Sequence, residues 1–501
     1  VYNTGRLVCL DTRTNEIKWQ QDDLVGELGT DKQGIFTLFV DRDNDIWMYS
    51  PLGIWVYNPE QEKWLSWLTN IIKRRSHNMV RAVSQDKQGR IWIGTDQDGI
   101  DILDKKTGEV RQLRNKAGDE RSLQNNTVMV LYEDSSETMW VGTYKKGISY
   151  FNECAFKFGA EYMGDISCIE EDKEGYVWLG TNDVGIIYWN SVTGNRAAFP
   201  QKGTDKLTTD AIVCILKAGD GKLWIGTFGG GLICYDNGRI IHYKKNIPER
   251  QNSLAHNNVL ALAEDKQGII WIGTLGGGVQ SLNPKTGLFT TYNTTSAGLI
   301  SDYVSSLCMG KEGSLWIGTA QGLSELDIET KKVVNLEGTK SGKEYFSDQN
   351  ISQVYEDSRG LIWIGTCEGL NVYNPKTDEL IILGVEQGVS SPIISGIVED
   401  GNENIWVTTA RGITNVIPAV DLKTGRYIFH SCVYDDKDGL QNSGFNLRSI
   451  KKLSSGEIFM GGLYGINRFR PDDIKYNKKC PSVMFTRLFL FNEEVGVGEE
   501  Y

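Results

Sequence analysis

The sequence predicts an all-β chain of tandem β-propellers: one complete seven-bladed ring preceded by the last blades of a truncated ring, with the first strand of a further β domain behind them. Three observations predict it. An aromatic residue recurs in one context at Trp47, Trp92, Trp140, Trp178, Trp224, Trp271, Trp316, Trp363, Trp406 and Phe459, at intervals of 38 to 53 residues. Six residues before it, Asp stands at 41, 86, 134, 172, 265, 357 and 400, and three before it Gly stands at 89, 175, 221, 268, 313, 360 and 456. A later glycine before Ile, Leu or Val occurs in all ten copies, as at Gly99, Gly278 and Gly412. A repeat of this period, too short for a whole domain, marks units that bury their faces only against one another.

Each element of the unit has a physical reading. The run before the Asp, such as Val259-Leu-Ala-Leu-Ala-Glu264, alternates or is wholly apolar over a strand's length. Asp-x-x-Gly then makes a hairpin turn, with the carboxylate capping backbone N–H groups and Gly accepting positive φ. The next strand carries the indole, a large apolar group suited to packing between sheets. It ends in Gly-Thr in seven copies, such as Gly318-Thr319. A third strand follows the later glycine, as in Gly369-Leu-Asn-Val-Tyr373, and Asn374-Pro-Lys-Thr377 turns the chain into a fourth, Glu379–Leu383. Four short antiparallel strands per unit are a propeller blade.

Ten marks exceed one ring. The shortest interval, 38 residues from Trp140 to Trp178, places a cut near residue 155 and leaves seven marks downstream. The expected domains are therefore 1–155, the C-terminal blades of a first, truncated propeller; 156–472, a seven-bladed propeller; and 473–501, a linker and the first strand of a further β domain. After Gly465–Phe469 the last blade lacks a fourth strand in its own sequence, and Ala155–Ala160 is expected to supply it from the other end. The chain opens and stops in mid-pattern and reads as a fragment.

Composition limits the function. Hydrophobic residues make up 40% and charged residues 24%, with 56 Gly and only 10 Pro, as a turn-rich globular protein requires. A net charge of −12 repels a phosphate backbone, so nucleic acid is not expected as a partner. No run of eighteen apolar residues and no signal peptide is present. The nine cysteines form no C-x-x-C pair and read as buried free thiols. Neither they nor the four scattered histidines suggest a metal site, and no cofactor is expected.

Units such as Val354-Tyr-Glu-Asp-Ser-Arg-Gly-Leu-Ile-Trp-Ile-Gly-Thr-Cys-Glu-Gly-Leu370 resemble the two-component-regulator propeller repeat. The tail, Pro481–Asn492, is similar to the start of the three-tyrosine (Y_Y_Y), Ig-like β-sandwich that follows such propellers. The resemblance implies the periplasmic sensor region of a Bacteroides-type hybrid two-component system. It implies an oligosaccharide ligand derived from a complex polysaccharide, no catalysis in this segment and a homodimer in the full-length protein. It also implies a membrane link only through a helix downstream of this chain, with the histidine kinase beyond it.

Other chemistries find less support in the residues. Phe228-Gly-Gly-Gly-Leu232 and Leu275-Gly-Gly-Gly-Val279 lie between strands and lack the Lys-Ser/Thr of a phosphate loop. Asp41-Arg-Asp-Asn-Asp45 resembles a calcium loop but lacks its Gly and Glu, and aligns with the ordinary turn. A glycoside hydrolase on a double propeller is the enzyme alternative, with Asp183 and Glu368 as the acids that break the repeat. A protein-binding scaffold is a further one.

In a propeller the first strand of each blade lies innermost. The loop leading into it and the loop after Gly-Thr emerge on one face, and concave mouths of this kind hold small molecules. Sugars need hydrogen-bonding planes and aromatic platforms. Residues of those types in these loops are Asn182, Asp183, Phe228, His256, Asn258, Asp302, Tyr303, Gln321, Asn350, Glu368, Arg411, Phe445, Asn446 and Tyr464. Arg411 is the first choice, because a guanidinium suits the carboxylate or sulfate of an acidic sugar.

Overall fold

Alternating apolar runs and Gly-bearing turns give the expected hairpins throughout the structure, a computed structural model. It describes residues 7–21, 36–50, 53–75, 79–117, 122–152, 157–190, 193–199, 207, 209, 211–245, 252–441, 444–474, 489–490 and 493–494. The chain divides into two compact units: Val1–Ala155 with Tyr476–Tyr501, and Phe156–Lys475. The expected sandwich strand lies outside the described residues, apart from a short hairpin pairing Phe489–Leu490 with Glu493–Glu494.

The second unit contains seven four-stranded antiparallel sheets. We number these blades 1 to 7. Their inner strands are Ile166–Glu171, Ile212–Lys217, Val259–Glu264, Val304–Met309, Ile351–Glu356, Ile394–Glu399 and Phe445–Lys452. Each inner strand lies beside those of the two neighbouring blades, and the seventh lies beside the first, so the ring is closed.

The closure uses a strand from the other end of the unit. Gly159–Tyr162 pairs with Gly465–Phe469 as the outer strand of blade 7, four residues further along than the sequence suggested. Phe158, just before it, is 2% exposed and meets Phe469 edge-on at 4.8 Å and Tyr434 at 5.2 Å. Lys157 pairs with Asp438. A ring cannot open at this seam without exposing those aromatics.

The hydrophobic cores sit between blades, not within them. Trp224 and Leu232 of blade 2, for example, pack with Val259, Ile270 and Leu282 of blade 3. Trp189 of blade 1 packs with Phe459 and Ile466 of blade 7. Burial of one such indole is worth several kcal/mol, at roughly 25 cal/mol per Å² of apolar surface.

The repeat residues each have a geometric cause. In blade 6, Asp400 Oδ1 accepts the N–H groups of Asn402 and Asn404, at 2.8 and 2.9 Å. Its Oδ2 accepts the Trp406 indole N–H at 2.8 Å. The same bond joins Trp178 to Asp172, Trp271 to Asp265 and Trp363 to Asp357. The sequence reading gave the Asp only the turn. Glycine of Gly-Thr serves blade packing: a Cβ on Gly273 would lie 2.7 Å from Val304 Cγ1 of the next blade. The Thr hydroxyl is buried and donates across the loop, as Thr366 does to the Gly369 carbonyl at 2.8 Å.

In the first unit, blade-like sheets surround Trp47 and Trp92, and a three-stranded sheet carries Trp140. Trp47 and Trp92 are fully buried, whereas Trp140 is 40% exposed. A ten-residue helix, Ser66–Arg75, departs from the all-strand expectation; its Leu68 and Ile72 pack into the core beside Trp47. The acidic turn Asp41-Arg-Asp-Asn-Asp45 is filled by Lys105, whose Nζ lies 2.7 Å from a carboxylate oxygen of each Asp. Burial opposes that ammonium's charge, but the three carboxylates hold its pKa above the ordinary lysine value.

Candidate functional site: the mouth of the seven-bladed ring

Backbone bonds join the two loop sets that sequence reasoning placed on one face. The N–H of Asn182 donates to the Asp165 carbonyl, Phe228 to Ala211, Leu275 to Asn258, Ala320 to Tyr303 and Ala410 to Ile393, at 3.1 to 3.3 Å. In each case the loop after the indole-bearing strand is tied to the loop leading into the inner strand of its own blade. Because the blades repeat in one orientation around the ring, all these loops rim one mouth.

The buried threonines set the loops' shape. Thr319, Thr366 and Thr409 accept the backbone N–H of Gln321, Glu368 and Arg411 through Oγ1, at 3.1 to 3.2 Å. Gln321, Glu368 and Arg411 are thereby fixed at the backbone while their side chains stand exposed. Asn182, Asp183 and Asn350 are exposed as well.

Three aromatic platforms stand on this rim: Phe228 is 55% exposed, Tyr303 55% and Tyr464 58%. Exposed Val184, Ile393 and Leu463 lie on the same loops, and exposed Leu447 near the start of the inner strand of blade 7. Aromatic and aliphatic surface recurring on loops that share one face of the ring is suited to a ligand.

The polar residues fall into two sets. Some are spent on the loops themselves. Asn258 Oδ1 accepts the Gly229 N–H at 2.8 Å, and His256 Nδ1 accepts the Asn258 N–H at 3.1 Å. Asp302 accepts the N–H and hydroxyl of Thr294 at 2.7 and 3.1 Å. Others form a cluster across the seam of blades 7 and 1: Asn446 and Asn182 each donate an amide N–H to Asp165, at 2.6 and 2.8 Å. Asp165 was missed from sequence, since an Asp one residue before an inner strand is indistinguishable there from a turn residue.

One site residue requires correction. Phe445 is 6% exposed and packs in the core with Trp406, Ile450 and Met460. It begins the inner strand of blade 7 with its ring turned inward, so it offers a ligand no platform. Arg448, three residues on, was missed; it projects from an irregular stretch of that strand which no repeat pattern foretells.

The cysteine reading also needs one correction. The seven described cysteines are all free, but Cys367 is exposed in a mouth loop. Partial burial, with Asp348 and Glu368 nearby, raises its thiol pKa and keeps it protonated. Cys214 on an inner strand is pushed up to about 12 by burial.

Comparison with known proteins agrees with this architecture. Residues 75–97, 122–145, 164–183, 206–229, 253–276, 298–321 and 345–368 match the family described as two component regulator propeller. The chain is 26% identical over 290 residues to Histidine kinase P4 of Formosa agariphila, which covers 56% of this chain and 20% of that protein. The chain thus spans a fifth of that relative's length. Among solved structures, it is similar to an extracellular domain described as that of a hybrid two component system from B. thetaiotaomicron. There the TM-score is 0.71 at 23% identity, over 99% of this chain and 64% of the other. A second B. thetaiotaomicron extracellular domain, described as that of a one component system, aligns with a TM-score of 0.52 at 18% identity over 98% of this chain and 71% of that one. At these identities the structures establish the propeller fold. Among the described residues, no helix is long and apolar enough to cross a membrane.

Proposed function

From the premise that the chain is built of two component regulator propeller repeats, we propose that it is the periplasmic sensor module of a hybrid two-component system. In this reading the mouth of the seven-bladed ring binds an oligosaccharide derived from a complex polysaccharide and does not transform it. The signal passes to a histidine kinase beyond this chain, and the full-length protein acts as a homodimer.

The observation that carries the reading is the presence of exposed Phe228, Tyr303 and Tyr464 together with exposed Asn182, Gln321, Asn350, Glu368 and Arg411 on one rim. Flat aromatic faces stack on pyranose rings, and amides, a carboxylate and a guanidinium address hydroxyls and acidic substituents. The relatives support the reading by kind: one is named a histidine kinase, and the structures are described as extracellular domains of regulatory systems.

The test is a thermal-shift screen of the whole chain against neutral and acidic oligosaccharides, followed by calorimetry and an assay for released reducing ends. A ligand confined to the native state raises the melting temperature. Saturable binding without new reducing ends is expected, and Arg411→Ala should weaken an acidic ligand. Release of reducing ends dependent on Asp183 and Glu368 would replace the sensor by a hydrolase. No shift with any glycan, together with capture of a defined protein partner, would replace it by a scaffold.

A further inference from the structure

In six of the seven blades the inner strand carries one extra residue near its start. In blade 1, for instance, Ile166 lies opposite Thr181 and Cys168 opposite Gly180. Blade 7 departs from this. Phe445 lies opposite Gly462 and the next pair is Ile450 with Met460, so five steps on one strand match two on its partner. The bulge holds Arg448 at φ 61°. Among the described residues it is the one non-glycine within an inner strand in the left-handed region. A long side chain there costs on the order of 1 kcal/mol or more of backbone strain.

The strain places a cation on the ring axis. Arg448 Nη1 donates to the carbonyl of Ser305 in blade 4 at 2.6 Å and lies 3.5 Å from that of Ser352 in blade 5. Cys168 and Cys214 of blades 1 and 2 are also close enough to act on it. The side chain therefore reaches from one wall of the channel toward the opposite one. It lies deep within the ring yet is not fully shielded from solvent. Ser305 and Ser352 are the second residues of their strands, at the mouth end.

Among the described residues no carboxylate forms an ion pair with Arg448. Arg359 is paired with Asp357 and Glu399, Lys451 with Glu170, and Arg468 with Glu161 and Glu457. The thiols beside Arg448 do not replace a counter-ion, because burial keeps both protonated. The two carbonyls engage one of the three guanidinium nitrogens. A deep guanidinium with a free fork and no counter-charge is disfavoured unless an anion completes it.

We infer that Arg448 is the cationic floor of an oxyanion site on the ring axis, reached through the mouth, that takes the carboxylate or sulfate group of an acidic sugar. The sugar rests on the sensor reading above; the oxyanion does not. An anion seated there meets Arg448 end-on, while the rest of an oligosaccharide lies on the rim aromatics.

The test measures the melting temperature and calorimetric affinity of the whole chain with sodium sulfate, sodium glucuronate and, as the uncharged control, glucose. Parent and Arg448→Met are compared at constant ionic strength. Sulfate or glucuronate should stabilise the parent, and Arg448→Met should lose about tenfold or more in affinity, as loss of a charge-assisted fork implies. No response to either anion overturns the site, and so does a response unchanged in Arg448→Met. Should that variant fail to fold, Arg448→Lys decides: it keeps the charge but not the fork, and undiminished affinity for both anions overturns the assignment. A neutral oligosaccharide that binds equally to parent and variants, with no anion effect, removes this site and leaves the sensor reading standing.

Discussion

Trp406 Nε1 donates to Asp400 Oδ2 at 2.8 Å, across the six residues that separate them in the chain. One carboxylate thus caps a surface turn with one oxygen and anchors a buried indole with the other. Where the Asp is missing, the bond is missing too. Ala218 stands six residues before Trp224, and the Trp224 indole nitrogen is buried without a partner. Leu453 stands before Phe459, which has no N–H to satisfy.

This pairing predicts a contrast. Asp400→Ala should destabilise the seven-bladed ring by about 2–3 kcal/mol, the cost of an uncapped turn and an orphaned buried donor. Trp224→Phe should cost less than Trp406→Phe, because only the latter gives up a hydrogen bond. Calorimetric melting of the three variants checks both; equal losses at Trp224 and Trp406 would refute the anchoring role.

Thr408 occupies the place of the glycine in Gly-Thr, and the opposing residue is Gly396, so the space has moved across the strand pair. The Thr408 hydroxyl is buried without a hydrogen-bond partner. Thr408→Val keeps the shape and removes the unsatisfied group, and should stabilise by about 1 kcal/mol. Gly273→Ala in the equivalent place of blade 3 should destabilise, since its Cβ would press on Val304. Melting curves of the two variants should shift in opposite directions.

The turn position three before the aromatic is left-handed even where it is not glycine: Asn44, Glu137 and Glu403 have φ of 62°, 66° and 62°. Glu403→Gly relieves that strain and should raise the melting temperature of its ring by about 1–3 °C. A lower melting temperature would show that the Glu403 side chain contributes more than its backbone costs.

Phe158→Ala should weaken the seam of the ring most. It removes a ring held among Trp406, Tyr434 and Phe469 and leaves a cavity costing about 3–5 kcal/mol. Hydrogen exchange should then rise first in Gly159–Tyr162 and Gly465–Phe469. Uniform exchange around the seven blades would mean that the seam is no weaker than any other blade boundary.

Lys105→Met should unmask repulsion among Asp41, Asp43 and Asp45, whose oxygens lie within 4.8 Å of one another. The variant should melt below the parent at low ionic strength, and the deficit should shrink as added salt screens the like charges. Thermal melts at two salt concentrations check this; a deficit that does not change with salt would contradict it.

Much of the fold was legible because the blade repeats. Asp265, Gly268, Trp271 and Gly278 answer local demands of turn and strand, so their spacing alone locates the hairpins. The seam was legible in outline, as a missing fourth strand, but its register starts at Gly159 because pairing with Arg468 sets it. The helix Ser66–Arg75 was not foreseen, as its apolar residues give a short pattern inside a strand repeat. At the mouth, loop position correctly brought out Phe228, Tyr303 and Tyr464 as exposed, yet Phe445 turned inward. A residue that begins an inner strand can face either way, and only its register against Gly462 decides.

The sequence by itself determined the blade, its count and its turn chemistry, because those depend on contacts within about twenty residues. Tertiary structure alone decided which glycine admits the neighbouring blade, in which register the closing strand pairs, and that Arg448 spans the axis toward Ser305. Those relationships join residues from 31 to more than 300 positions apart, and close packing around a closed ring, which no local pattern encodes, is what brings them together.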